Sequence, residues 1–382
     1  MVKILKLSFY YADYLNYFYN LNNTTKLSYE NHQNLIFNDR FGWSDSFKDV
    51  FKTKNINVEE IIVNDIFLQK KWINENNSKK IDIKNWQIEI LKMQLDYYRP
   101  EYIFLNNPSL ENKFYELFSL YKIKLISYDG IKSHNNNILK YSDLIISCLK
   151  STCDYYSSYN KKTYYMPHGF DERIINNIKN NVINNNPIFI GNIRNINHSK
   201  RVDLLYKAIQ HTTLKIWIGD MDKNFKSSDI KKLFELKKIY QGLKSFYKIN
   251  KINKIRKILK KSSKGIFGLE MYQLIRDHTI TLNNHIDVTT DNEMANLRIF
   301  ETTGLGSCLV TDFKKNFSEF FLDDEIVMYN SKDEAIDKIN FLLRNKKIAE
   351  QIAVKGMKKT LKFHTIQKRW RSFHEFFLLN GL

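Results

Sequence analysis

The stretch DNEMANLRIFETTGLGSCLVTD, Asp291 to Asp312, carries two glutamates, Glu293 and Glu301, with seven residues between them. Helical character begins just after Glu293, where Leu297, Ile299 and Phe300 supply apolar faces. Gly304 stands where a helix C-cap is expected, and Cys308 to Thr311 is a short apolar run that returns as a strand. A helix leading into a buried strand is part of an α/β layer. When such a helix starts above the carboxyl end of a sheet, its first N–H groups point at whatever binds there. That end suits a pyrophosphate, each favourable dipole contact contributing about 0.3–1 kcal/mol.

The pattern continues on both sides of this stretch. Ile188 to Gly191 (IFIG), Leu214 to Gly219 (LKIWIG), Ile280 to Asn283 and Ile326 to Tyr329 read as strands with helices between them. Ser331 and Glu334 form a capping box ahead of Ile336, Ile339 and Leu342, and an aromatic-rich helix runs from about Thr365 to Leu379. The first half reads the same way. Its strands are Val2 to Ser8 (VKILKLS), Glu59 to Val63, Glu101 to Leu105 (EYIFL), Ile123 to Ser127 and Leu144 to Ser147. Helices are expected at Trp86 to Tyr97, broken by Arg99 and Pro100, and at Leu110 to Tyr121. YYMPHGF, Tyr164 to Phe170, closes this half, and the asparagine-rich run Asn176 to Asn186 is the candidate junction. Alternating strands and helices predict mostly parallel sheets covered on both faces, with ligands at the carboxyl ends of the strands. No G-x-G-x-x-G turn follows the first strand, so a dinucleotide-binding oxidoreductase loses its main support.

At 382 residues, with 43% apolar and 14% aromatic residues, the chain is long enough for two cores. No apolar run reaches the length of a membrane span, and the opening MVKILKLSFYYAD lacks a small-residue cleavage site, so a soluble cytoplasmic protein is expected. Three cysteines without paired spacing suggest neither a disulfide framework nor a zinc site. The net charge of +19 has two readings, a solvated Lys-rich surface or an anionic partner such as a nucleotide diphosphate or the inner face of a membrane. There is no arginine-rich arm or nucleic-acid module, so no nucleic acid is expected as partner.

The E-x7-E spacing followed by a small-residue turn and a strand resembles the donor site of retaining glycosyltransferases with the GT-B fold. More narrowly, the chain resembles the CgeB-type, spore-maturation-like glycosyltransferases. The matching stretches are GWSDSF (Gly42 to Phe47), LQKKW (Leu68 to Trp72), GLEMYQLIR (Gly268 to Arg276), TLNNHID (Thr281 to Asp287), NLRIFETTGLGSCLVTD (Asn296 to Asp312) and FHT (Phe363 to Thr365). The resemblance implies two facing doubly wound Rossmann-like domains. Residues 1–182 would form the acceptor side and 183–362 the donor side, and the helix 363–382 would cross back onto the first domain. It implies transfer of a sugar from a nucleotide-diphosphate sugar to a glycan, glycoprotein or lipid-linked acceptor, with no metal and no other cofactor.

By the same resemblance Glu301 accepts hydrogen bonds from ribose hydroxyls, Glu293 lies against the donor sugar, and the helix beginning at Asn296 and Arg298 meets the diphosphate. GNIRNINHSKR (Gly191 to Arg201) would bring Arg194, Lys200 and Arg201 to the phosphates. The Ile218-Gly219 strand end resembles the strand-Gly-Asp turn of such a second domain. Other readings stand beside these. Arg298 and Glu301, three apart, also fit a surface ion pair worth about 0.3 kcal/mol. The basic loop also fits a solvated surface. Asp220-Met221-Asp222 has the D-x-D form of a metal-nucleotide motif, but so short a pattern arises by chance. His168 in PHGF is a candidate for contact with sugar or acceptor, with Asp129, His134 and His285 as similar candidates; each fits equally well as a packed core group. Glu293 is followed by Met-Ala-Asn rather than the Gly-Phe-Gly of the broader class. A nucleotide-sugar epimerase of the same fold, a non-catalytic basic nucleic-acid-binding protein and a non-catalytic partner of another transferase are the rival readings.

Overall fold

The computed structural model describes residues 1–76, 84–106, 110–133, 135–180, 184–193, 199–219, 242–285 and 292–381. The chain divides into two compact units. The first is Met1–Glu172 together with His364–Leu382, and the second is Arg173–Phe363. No helix among the described residues is long and apolar enough to cross a membrane.

The first unit is built on six parallel strands, β1 (Val2–Ser8), β2 (Ile56–Ile62), β3 (Tyr102–Leu105), β4 (Lys124–Tyr128), β5 (Leu144–Ser147) and β6 (Lys162–Tyr165), in the order β2-β1-β3-β4-β5-β6. β3 and β5 are buried at every position, which is why they read as unbroken apolar runs. β6, KTYY, is a half-buried edge strand without such a run, and the sequence reading missed it. The helix Trp86–Tyr98 ends where Arg99 adopts a left-handed conformation ahead of Pro100.

One face of this sheet is covered by aromatic side chains drawn from both ends of the sequence. The helix Ser46–Phe51 and the terminal helix Ile366–Leu379 pack together, burying Phe47, Phe51, Trp370, Phe373 and Phe377 with Phe104 of β3. The Trp370 indole N–H donates to Ser46 Oγ at 2.9 Å, so the buried ring also has its polar atom satisfied. The GWSDSF stretch and the terminal helix are therefore two halves of one packing unit.

The segments that leave and re-enter the first unit are paired. Phe170 N donates to His364 O at 2.9 Å, and Ile366 N donates to Phe170 O at 2.8 Å. This pairing explains the glycine of PHGF. A Cβ on Gly169 would lie 2.7 Å from Ile366 N and 2.8 Å from the Thr365 carbonyl carbon, both backbone atoms that cannot swing aside.

The second unit has its own six parallel strands, β7 (Ile188–Gly191), β8 (Lys215–Ile218), β9 (Ser262–Lys264), β10 (Ile280–Leu282), β11 (Cys308–Asp312) and β12 (Val327–Tyr329), in the order β12-β11-β10-β7-β8-β9. From β7 the chain winds outward through β8 to β9, then returns to β10 beside β7 and winds the other way. The β7/β10 boundary is thus the switch point, outside whose carboxyl ends ligands bind in open parallel sheets. β9, the polar edge segment SSK, carries no apolar signal and was not anticipated.

Two details differ from the sequence reading. The helix in the Asp291–Asp312 stretch spans Leu297–Gly304, starting later than the residues after Glu293, because the Asn296 side chain caps it by accepting from Arg298 N at 2.9 Å. Gly304 lies inside that helix. The left-handed turn that follows belongs to Gly306, with φ of 74°, where a Cβ would meet the Arg276 guanidinium at 2.8 Å. The Ser331 cap forms as the sequence indicates, with Glu334 N donating to Ser331 Oγ at 3.2 Å, while the Glu334 carboxylate reaches back to Asn330 N at 2.7 Å.

Replacing Gly169 with Ala should force the two paired segments apart and lower the stability of the first unit by about 1–3 kcal/mol, the usual cost of overpacking a site that cannot yield. Urea unfolding followed by tryptophan fluorescence, compared with wild type, measures it.

Candidate active site at the carboxyl ends of the second sheet

At the β7/β10 switch point the chain beyond each strand is held by one guanidinium. Arg201, buried on the helix Ser199–His211, donates through Nη1 to Asn192 O at 2.8 Å and through Nη2 to Asn284 O. Its Cζ also lies over the Phe189 ring, 5.7 Å from the centroid. Three glycines permit this crowding. Gly191 leaves room for the Phe189 ring and Arg201, a Cβ on Gly219 would collide with the Asn192 side-chain oxygen, and one on Gly265 would lie 2.5 Å from Gly219 Cα.

One amide ties the next layer together. Asn283, buried just past β10, accepts from Asn296 Nδ2 at 2.9 Å and donates through its own Nδ2 to Thr311 Oγ1 at 3.0 Å. Its backbone N donates to Val310 O at 2.8 Å, and its carbonyl accepts from Tyr329 OH at 2.8 Å. Asn283 therefore joins β10, β11, β12 and the start of the helix Leu297–Gly304, fixing where that helix begins.

Glu301 lies one turn into the helix and is buried. Its Oε2 is 2.8 Å from Arg298 Nη1, and its Oε1 accepts from Tyr272 OH at 3.2 Å. The ion pair anticipated as a surface alternative exists, but it is enclosed, so it cannot be dismissed as a solvated pair of negligible effect. The cap occupies part of the helix start. Arg298 N is satisfied by Asn296 Oδ1, and Ile299 N donates to Asn296 O at 3.2 Å. Glu293 is buried in the segment preceding the cap. That segment is pinned to the chain after β11, with Lys315 N donating to Asn292 O at 3.0 Å and Met294 N to Asn316 Oδ1 at 2.8 Å.

Beside Asn284 stands a dyad of the buried His285 and the partly buried Asp312. His285 N and His285 Nδ1 both lie 2.8 Å from Asp312 Oδ1, and Lys314 Nζ is 3.0 Å from Asp312 Oδ2. Burial alone would raise the Asp312 carboxyl, but the His285 hydrogen bond and the Lys314 charge outweigh it and hold the group well below the usual carboxylate range. Burial pushes His285 in the direction that disfavours its cation, against the pull of Asp312 and with the help of Lys314 and Arg201.

The structure thus places Asn296, Arg298 and Glu301 on one helix, and links that helix through Asn283 to the strand end that Arg201 holds. Lys200 is exposed on the helix Ser199–His211. Arg194, Asp220, Asp222 and His134 lie outside the described residues. Asp129 is a turn-forming residue: its carboxylate accepts from Ile131 N, Ser133 N, Ser133 Oγ and Tyr156 OH, a complete set that explains its burial without a ligand. His168 belongs to the first unit, past β6, where its Nε2 lies 3.4 Å from Tyr128 OH and its ring 5.9 Å from that of Trp43. Burial, reinforced by Arg369, pushes it down to about 4. Among the described residues no cluster of three or more His, Cys, Asp or Glu has metal-binding geometry. The sequence reading gave no role to Asn283, Asp312, Lys314 or Tyr272; TLNNHID and the final Asp of the quoted stretch were the available signals.

Residues 253–375 match a protein family described as glycosyl transferase-like. No curated protein sequence matches the chain. Among solved structures it is similar to HepE from Anabaena in complex with UDP and glucose, at a TM-score of 0.60, 11% identity and 100% of both chains. It is also similar to a sucrose-phosphate synthase from Thermosynechococcus elongatus (TM-score 0.56, 10% identity, 100% of this chain and 99% of that one). A third similar structure is a glycosyltransferase from Rickettsia africae (TM-score 0.55, 10% identity, 98% of this chain and 97% of that one). The fold is GT-B, with two Rossmann-like domains each on a six-stranded parallel sheet.

Asn283→Leu removes partners from Asn296 Nδ2 and Thr311 Oγ1 at once, and should destabilise the second unit by about 2–4 kcal/mol, since each orphaned buried group costs about 1–3 kcal/mol. Chemical unfolding measures it. For His168 the folded-state value is depressed from 6.5 to about 4, so its neutral form contributes stability above about pH 6.5 that is lost as the pH falls toward about 4. His168→Gln should lose less stability than wild type between about pH 7 and about pH 5 in the same measurement.

Proposed function

We propose, from the glycosyl transferase-like match of residues 253–375 and the geometry of the second sheet, that the protein transfers a sugar from a nucleoside diphosphate sugar to an acceptor hydroxyl. The observation that carries this reading is the buried Glu301 carboxylate, one turn inside a helix whose capped start is bonded to the carboxyl end of β10 beside the switch point. A nucleoside diphosphate has complementary parts. Its ribose hydroxyls are donors for a buried carboxylate, and its phosphates are anions for a helix start and neighbouring cations. The solved structures of Anabaena HepE hold UDP, glucose and UDP-glucose, which supports the donor class.

On this reading the donor occupies the second unit and the acceptor the first. Glu301 holds the ribose, and the start of the Leu297–Gly304 helix faces the diphosphate. Arg201 serves by fixing both walls of the crevice, because its Nη groups already bond the Asn192 and Asn284 carbonyls. Its charge, with those of Lys200 and Lys314, favours the developing phosphate charge without a metal ion. Chemically, the bond between the sugar's anomeric carbon and the phosphate oxygen breaks and a bond to the acceptor oxygen forms. The acceptor proton passes to the leaving phosphate, the route open to a retaining enzyme. Glu293 lies against the sugar in this scheme, and His168 serves the acceptor side. The stretches GWSDSF, TLNNHID and NLRIFETTGLGSCLVTD support the narrower CgeB-type assignment. A cytoplasmic enzyme, peripheral at an anionic inner membrane face, building glycans or glycoproteins, suits the charge of +19.

Calorimetry with UDP, UDP-glucose and a panel of other nucleoside diphosphate sugars tests this. Wild type should bind at least one of them, and Glu301→Ala should weaken that binding at least about tenfold, equivalent to about 1.4 kcal/mol. Unchanged affinity in the variant would remove the ribose assignment. A labelled donor that yields only an isomeric nucleotide sugar would make the protein an epimerase.

A further inference from the structure

The His285–Asp312 dyad points beyond nucleotide binding. His285 Nδ1 faces an oxygen of Asp312, a carboxylate held in its ionised form, so the shared proton sits on Nδ1. In the neutral ring that leaves a lone pair on Nε2. This atom is buried and has no hydrogen-bond partner among the described residues. An unsatisfied buried acceptor is destabilising unless something completes it.

Its neighbour repeats the pattern. Tyr329 OH donates its proton to Asn283 O at 2.8 Å, so it can only accept from Asn284, whose Nδ2 lies 3.3 Å away. The amide orientation follows, and Asn284 Oδ1 is a second buried acceptor without a partner among the described residues. Two consecutive residues beyond β10, the strand on one side of the switch point, thus each keep an acceptor in reserve. A phosphate is the wrong complement, because its oxygens are acceptors too. The ribose hydroxyls are already assigned to Glu301. What fits is a neutral group rich in hydroxyl donors.

We propose that His285 Nε2, oriented by Asp312 and supported by Asn284 Oδ1, accepts hydrogen bonds from hydroxyls of the transferred sugar and so determines which glycosyl group the site takes. The proposal rests on the donor-site reading above. Asp312 and Lys314 are then positioning residues: the carboxylate fixes the ring and its tautomer, and the Lys314 ammonium, 3.0 Å away, fixes the carboxylate.

The test separates the sugar from the nucleotide. By calorimetry, His285→Ala should bind UDP-glucose, or whichever nucleoside diphosphate sugar of the panel wild type prefers, at least about tenfold more weakly, while affinity for the matching nucleoside diphosphate changes less than about twofold. Equal losses for both ligands, or no loss for either, would overturn the assignment. Nitrogen NMR of the wild-type histidines gives a second reading that does not depend on a folded variant. The His285 Nε2 signal should be that of an unprotonated nitrogen, and should shift with the sugar nucleotide but not with the nucleoside diphosphate alone. A protonated Nε2, or one indifferent to the sugar, would also overturn it. If wild type binds no nucleoside diphosphate or its sugars at all, the donor-site reading fails and this assignment falls with it, a result distinct from normal binding by the His285 variant.

Discussion

A single buried amide, that of Asn283, sets the geometry of the candidate site. A side chain with one acceptor and one donor group, enclosed among three strands and a helix start, must find partners on both, and Asn283 finds Asn296 on one side and Thr311 on the other. Because its backbone is also committed to Val310 and Tyr329, the amide has little freedom to shift. The helix carrying Glu301 starts where this residue permits. Arg201 performs the equivalent task one strand over, bonding the carbonyls beyond β7 and β10. Two side chains thus fix both edges of the switch point, and the groups between them inherit that rigidity.

The periodicity of the sequence disclosed the layers because each central strand is buried on both faces. IFIG, CLVTD and LIIS leave no other reading. Two of the four edge strands, KTYY and SSK, escaped notice for the converse reason: neither carries the apolar run that marks the edges β2 and β12. At the site, the E-x7-E spacing drew attention to the helix Leu297–Gly304, yet the side chains that position it were silent. Asn283 meets partners 13, 28 and 46 residues away, and asparagine looks like a turn residue until those contacts are seen. The resemblance puts Arg201 at the phosphates, and the Asn192 and Asn284 carbonyls that it bonds leave no mark in the sequence. Gly306 rather than Gly304 turned the chain because capping by Asn296 and the helix length together decide which glycine falls at the bend.

Buried charge in the first unit shows how the same residue types can be purely architectural. Lys6 points from β1 into the interior, where its ammonium donates to Glu60 Oε1 at 2.6 Å and to Ser44 O at 2.8 Å, while Ser8 Oγ adds a second hydrogen bond to the same carboxylate oxygen. Burial pushes the Glu60 carboxyl up, and the Lys6 charge and hydrogen bonds oppose it. Desolvation of such a pair consumes most of its Coulomb attraction, so its main effect is to fix the register of β1 against β2 and the Ser44 turn. Lys6 is satisfied on the spot by Glu60 and Ser44, although the other Glu60 oxygen, Oε2, is buried without a hydrogen-bond partner among the described residues.

The pairing of Phe170 with Thr365 makes the second unit an insertion between two neighbouring points of the first. During synthesis the two units therefore finish in the reverse of their order along the chain. Residues 173–363 have all of their described strands once Phe363 has emerged, whereas the aromatic face of the first sheet lacks Trp370, Phe373 and Phe377 until the helix Ile366–Leu379 has emerged as well. Phe47, Phe51 and Phe104 wait uncovered by these three side chains through that interval, so a nascent chain stalled or truncated before residue 370 would expose aromatic surface that the finished fold buries.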